Sequence, residues 1–171
     1  AVSKVIEVQG SNCVEINEDT YIMKTNTFKE KIDLNNEEQF SAVTIIMPND
    51  MMYVSYRGTD NTIVGWKEDL NMSFKELVPA QTTAKNYLNK IAEKYKDKQI
   101  IVGGHSKGGN LAVYAAAYCE PKIQDRIIKV YNNDGPGFCD KVVNSEEYNR
   151  ILNKVHTYIP KSSIIGRLLN H

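Results

Sequence analysis

Cysteine is scarce: Cys13, Cys119 and Cys139 are the only three in 171 residues, and none is spaced as C-x-x-C. So few thiols, in an odd number, argue against a disulfide scaffold and for free cysteines in a reducing, cytoplasmic compartment. Net charge is absent too, with 21 acidic and 21 basic residues. That balance gives no reason to expect nucleic acid or an anionic membrane as a partner. No apolar run approaches the length of a membrane span. The start, Ala1-Val2-Ser3-Lys4-Val5, lacks the basic and apolar zones of a signal peptide. It also lacks an initiator Met, so a processed chain or a fragment is expected. Without a secretion signal, the sequon Asn71-Met72-Ser73 reads as chance. No repeat, linker, low-complexity stretch or metal-binding spacing is found, and neither cofactor nor metal is expected. What remains is ordinary for one soluble domain with a real core, at 42% hydrophobic and 25% charged residues.

Against this plain background one run stands out, from Ile100-Ile101-Val102 through Gly103-Gly104-His105-Ser106-Lys107-Gly108-Gly109 to Asn110-Leu111-Ala112-Val113-Tyr114-Ala115-Ala116-Ala117. It reads as a buried strand, a sharp turn carrying one serine, and a helix of small residues. Gly104-His105-Ser106-Lys107-Gly108 fits G-x-S-x-G, the nucleophile elbow of α/β-hydrolases. The spacing has a physical reason. The serine must sit at the apex of a strained turn, and the flanking glycines remove Cβ atoms that would collide as strand and helix close. The helix then aims its positive N-terminal end at the place where an oxyanion forms. A bare G-x-S-x-G arises by chance in about one chain in twenty of this length, so the strand before it and the Pro-free helix after it carry the weight. The competing reading is a Gly-rich turn whose serine only caps the helix.

Elsewhere, Val2–Val8 alternates enough for a strand, and residues 9–40 are polar and hard to assign beyond a short strand at Tyr21-Ile22-Met23. Ser41–Met47 and Met51–Tyr56, joined by Pro48-Asn49-Asp50, read as a hairpin. Val64–Leu70 is expected to be a short helix. Pro79 opens a longer one to about Tyr95, with Ala84, Leu88, Ile91, Ala92 and Tyr95 as its apolar stripe. Strands over Ile127–Tyr131 and Val155–Ile159 flank a helix over Ser145–Lys154. Strands alternating with helices after residue 79 imply a mostly parallel sheet with helices on both faces, in a single domain over residues 1–171.

An acyl-transfer serine needs an oxyanion hole, a base and an orienting acid. One hole donor is the N–H after the serine, here Lys107. Tyr56-Arg57-Gly58-Thr59-Asp60, after an earlier strand, has the position and shape to supply the second through Thr59; its bland reading is a surface turn.

These pieces together resemble the class 3 (fungal-type) lipases. Those enzymes carry an aromatic-Arg-Gly-Ser/Thr loop, a Trp-x-x-Asp-Leu element and Gly-His-Ser-Leu-Gly-Gly. More closely, Arg57-Gly58-Thr59-Asp60, Gly65-Trp66-Lys67-Glu68-Asp69, Gly104-His105-Ser106-Lys107-Gly108-Gly109-Asn110 and Asn133-Asp134-Gly135-Pro136-Gly137-Phe138 look like a bacterial lipase-like family. The resemblance covers roughly residues 39–171 and implies an α/β-hydrolase fold, incomplete at its C-terminus, acting on small-molecule or lipid esters. It makes Ser106 the nucleophile and Thr59 and Lys107 the oxyanion-hole residues. Gly104, Gly108, Trp66, Asp69 and Arg57 become structural supports, with Arg57 a partner for Asp69. Lys107 stands where the lipases have Leu. Its side chain is either simply solvated or a positive charge at the pocket mouth that favours anionic esters.

The acid departs from the lipase pattern. Their Asp follows the strand that is Val155–Ile159 here, where this chain has Pro160-Lys161-Ser162-Ser163. A serine cannot stabilise an imidazolium as a carboxylate does. Asp134 is the substitute, unless it only forms an Asp-Gly turn. For the base, His105 adjoins the serine and points away from its Oγ, and His156 begins the last strand at the wrong end. His171 is the remaining candidate, and the resemblance places the true histidine further downstream. Two functions are therefore carried forward: a serine esterase, and a non-catalytic relative that kept the elbow but lost the triad.

Overall fold

The computed structural model describes residues 14–17, 20–22, 24–33, 38–47, 50–58 and 78–161. The expected strand at Val2–Val8, the helix at Val64–Leu70, and the candidate residues Thr59, Trp66, Asp69 and His171 lie outside the described residues.

Two strands, β1 (Val14–Asn17) and β2 (Thr20–Ile22), form an antiparallel pair of their own. Among the described residues the main sheet has six strands in chain order: β3 (Lys24–Asp33), β4 (Glu38–Met47), β5 (Met51–Tyr56), β6 (Gln99–His105), β7 (Ile127–Asn133) and β8 (Val155–Tyr158). β3, β4 and β5 are antiparallel neighbours, and from β5 to β8 the strands run parallel. Between them lie α1 (Pro79–Lys94), α2 (Lys107–Tyr118), α3 (Pro121–Gln124), α4 (Asp140–Val143) and α5 (Glu146–Ile151). The alternation of strands and helices implied the mostly parallel sheet, and this is an α/β-hydrolase fold, as the resemblance implied.

Alternation along the strands decides which face is covered. Phe40, Ala42, Thr44 and Ile46 of β4 are buried, and so are Met52, Val54 and Tyr56 of β5, Ile100 and Val102 of β6, and Val130 and Asn132 of β7. The register puts these residues side by side on one face. α1 packs there: the Tyr56 hydroxyl donates to the Ala84 carbonyl at 2.9 Å, and the Thr44 and Tyr87 hydroxyls are 2.8 Å apart. Its expected stripe is the buried one through Ala84, Leu88, Ile91 and Ala92, with Tyr95 half-buried. α2 is buried nearly all round, including Leu111, Ala112, Val113, Ala115, Ala116 and Ala117. Such a helix belongs between other layers, and its alanines let α1 and the sheet approach it. Its last carbonyls are satisfied by a side chain, because Gln124 Nε2 donates to Ala116 O and Ala117 O at 3.2 and 2.8 Å.

Two segments differ from the sequence reading. Residues 9–40, hard to assign from sequence, hold β3. Its sequence, KTNTFKEKID, has no apolar alternation, and pairing with β4 makes it a strand. The helix expected over Ser145–Lys154 is α5 followed by a 3₁₀ turn, Leu152–Lys154. Ser145 caps α5, its Oγ accepting from Tyr148 N at 3.2 Å.

Cys119 and Cys139 are both free thiols. Burial pushes the Cys119 thiol up to about 12. At neutral pH the native protein should therefore react with iodoacetamide at Cys139 well before Cys119, read by peptide mass spectrometry. Equal labelling of the two under native conditions contradicts the packing of α2 described above.

Candidate active site

Ser106 stands between the end of β6 and the first residue of α2, with φ 55° and ψ −131°. A positive φ is costly for a side chain with a Cβ and survives only where surrounding structure enforces it. Here the enforcement is visible. The Ser106 N–H donates to Asn133 O at 2.9 Å, which extends the β6–β7 ladder, while its carbonyl accepts from Gly109 N at 2.8 Å and starts α2. The two flanking glycines explain the rest. A Cβ on Gly104 would run into the Gly108 carbonyl, and one on Gly108 would run into the Tyr56 carbonyl oxygen and lie 2.9 Å from Arg57 C. Three backbones, from β5, β6 and α2, thus meet at van der Waals limits beneath a half-exposed Ser106.

Gly108→Ala is accordingly expected to lower stability by about 1–3 kcal/mol, because the obstacle is backbone and cannot rotate away. Thermal melting checks it; an unchanged melting temperature would mean that the strand ends are not packed this tightly.

The loop after β5 lies against this turn. A Cβ on Gly58 would stand 2.8 Å from His105 O and 3.6 Å from Ser106 Cβ. The chain therefore leaves Gly58 toward Thr59 from a point beside the serine. Arg57 is exposed, and its N–H donates to Ser41 O at 3.0 Å. Its expected partner Asp69 lies outside the described residues.

Lys107 corrects an expectation. Its side chain is 1% exposed. It is neither a solvated lysine nor a charge at a pocket mouth; the chain turns inward beside the elbow. The signal was not in the composition, since a lysine normally reads as surface.

Asp134 follows β7 at φ 58°. Asp tolerates that region better than most residues, and the turn is held from within: Gly135 N donates to Asn132 Oδ1 at 3.0 Å, while Asp134 N donates to Tyr158 O at 2.8 Å. The carboxylate Oδ1 of Asp134 is buried and has no hydrogen-bond partner among the described residues. The residue lines a cavity of about 410 Å³ together with His105, Asn133, Thr157, Tyr158, Ile159 and Pro160. A buried, unpaired carboxylate oxygen is expensive unless something donates to it. Ser106, Gly58, Asp134 and this cavity all lie at the carboxyl ends of the parallel strands, where ligands bind in open α/β sheets.

The histidines separate. His156 is exposed in β8 opposite Tyr131, its ring 5.6 Å from that tyrosine, two residues short of the Asn133–Tyr158 level. His105 borders the cavity beside Asp134. The β6–β7 register, with His105 opposite Asn133, is what puts it at this edge of the sheet.

Residues 19–171 match the Mbeg1-like family. The chain belongs to that family. No curated protein matches this Mbeg1-like chain. Solved structures do resemble it. One is a fungal lipase–inhibitor complex, at 13% identity and a TM-score of 0.55, covering 82% of this chain and 59% of that one. Another is M37 lipase, at 14% identity and a TM-score of 0.56, covering 89% and 56% respectively. At such identities the likeness speaks for the fold. The Mbeg1-like chain spans 59% and 56% of the length of these two lipases. Among its described residues, no helix is long and apolar enough to cross a membrane.

Proposed function

We propose that this Mbeg1-like chain carries the nucleophile half of a serine hydrolase acting on carboxylic esters, small or lipid, of the kind its bacterial lipase-like motifs suggest. The observation that carries the reading is Ser106: a serine at positive φ, half-exposed, with a helix starting at the next residue. Strain of that kind is retained where a side chain must project from its scaffold. In the mechanism, Ser106 Oγ gives its proton to a histidine and attacks the ester carbonyl. The carbonyl π electrons move to oxygen, and the backbone N–H groups of Lys107 and Thr59 hold that oxyanion, aided by the positive end of α2. Collapse expels the alcohol, which takes the proton from the histidine; water then releases the acid by the reverse sequence. No cofactor or metal enters these steps.

Asp134 is the acid in this reading, supported by its unpaired buried oxygen and the cavity beside it. The base is a histidine entering that cavity, His171 or one further along the full-length protein. Burial removes Lys107 as a recogniser of anionic esters, so acyl and alcohol preference rest on other residues. The two described cysteines, both free, support a cytoplasmic setting.

The test uses the full-length protein and a series of p-nitrophenyl esters. Turnover preceded by a burst of p-nitrophenolate equal to the enzyme present supports an acyl-enzyme. No turnover above buffer rejects the reading and favours the non-catalytic relative.

A further inference from the structure

Asn110 sits one turn after Ser106 in α2 and is 1% exposed. Asparagine is a poor helix former beside the alanines that follow it, and a buried amide needs partners. It has three. Its Nδ2 donates to Pro136 O at 3.0 Å and Gly137 O at 3.1 Å, and its Oδ1 accepts from Gln81 Nε2 at 2.8 Å. Gln81 in turn accepts at Oε1 from the Val78 N–H at 3.1 Å. The direction of this relay is forced at both ends. A backbone N–H can only donate, so Gln81 must present oxygen to Val78 and its NH₂ to Asn110. The Pro136 and Gly137 carbonyls can only accept, so Asn110 must present its NH₂ to them. The relay runs from the start of α1, through the first turns of α2, to the loop after Asp134.

That loop rests on the elbow itself. A Cβ on Gly135 would stand 2.7 Å from Ser106 O and 2.8 Å from Asn110 N. We infer that Asn110, oriented by Gln81, is a positioning residue that clamps the Asp134–Gly137 loop onto the turn bearing Ser106. As a device for aligning the acid with the nucleophile, it rests on the functional reading above; as a clamp, it can be tested without it. The clamp is chemical: a leucine would fill similar space but leave two carbonyls and the Gln81 NH₂ without partners.

The experiment compares full-length wild type, Asn110→Asp and Asn110→Leu by amide hydrogen exchange and by ester kinetics. In Asn110→Asp at about pH 8, a carboxylate faces two carbonyls. Protection of the Asp134 and Gly135 amides should fall roughly tenfold or more, while β5 and β6 amides keep theirs. Acidifying toward about pH 5 should restore protection toward the wild type at the same pH. Burial raises the introduced carboxyl's pKa above the unfolded value, so the neutral form, whose O–H donates to one carbonyl, returns as pH falls. Asn110→Leu should lose the same protection at every pH. In both variants kcat should drop at least roughly tenfold at pH 8, with KM little changed. Wild-type protection of Asp134 and Gly135 in either variant at pH 8, or a loss in Asn110→Asp that acid does not recover, overturns the clamp. Should neither variant fold, the wild type decides: Asn110 Nδ2 protons exchanging as slowly as the Gly135 amide support it, and free exchange rejects it. A wild type without ester turnover rejects the hydrolase reading alone, because the exchange arms still decide the clamp.

Discussion

Ser106→Ala is expected to abolish ester hydrolysis by the full-length protein, lowering kcat by roughly 10⁶ as loss of an acyl-transfer nucleophile does. The fold should survive. Alanine keeps the Cβ that Ser106 already places at φ 55°, so the strain is unchanged. The backbone bonds to Asn133 and Gly109 do not involve the hydroxyl. The melting temperature should therefore stay level or rise slightly, since strained catalytic positions often cost stability. A variant with ordinary turnover would show that the hydrolysis belongs to another residue.

Asp134→Asn is expected to cost roughly 10⁴ in kcat, with KM nearly unchanged, because an amide neither holds the required histidine tautomer nor stabilises the imidazolium. Geometry should again persist. The turn is fixed by Gly135 N on Asn132 Oδ1 and by Asp134 N on Tyr158 O, and the substitution touches neither bond. Asparagine also accepts the φ of 58° at this position. Stability should not fall, and a gain is expected if the unpaired Oδ1 is a cost in the folded state. The two readouts, rate and melting, thus move apart. Unchanged turnover would move the acid elsewhere, with the Ser162–Ser163 region the next to examine.

How much of this was legible in the sequence depends on how local each signal is. The hairpin of β4 and β5 and the stripe of α1 are written in period, two for the strands and helical for α1, so they read directly. The elbow reads because its glycines are demanded by backbone contacts within a few residues and with one neighbouring strand. β3 was illegible because its polar sequence becomes a strand only through β4. Lys107 was misread for a related reason: its charge says surface, whereas its place at the first position of a central helix says interior. The cavity beside Asp134 depends on the register of β7 against β8 and on His105 facing Asn133, and no short window of sequence encodes either. Asn110 carried a faint signal, an amide in the first turn of an otherwise small-residue helix. Its partners Gln81, Pro136 and Gly137 lie 26 to 29 residues away along the chain, so only the fold reveals what it does.

Covalent capture shows whether Ser106 is an activated nucleophile. The full-length protein is treated with a fluorophosphonate probe, native and heat-denatured, and its peptides are mapped by mass spectrometry. One phosphonyl group per chain is expected, on Ser106 Oγ, formed only in the native sample and lost in Asp134→Asn at short times. No adduct on the native protein, or an adduct elsewhere with Ser106 unmodified, would contradict it.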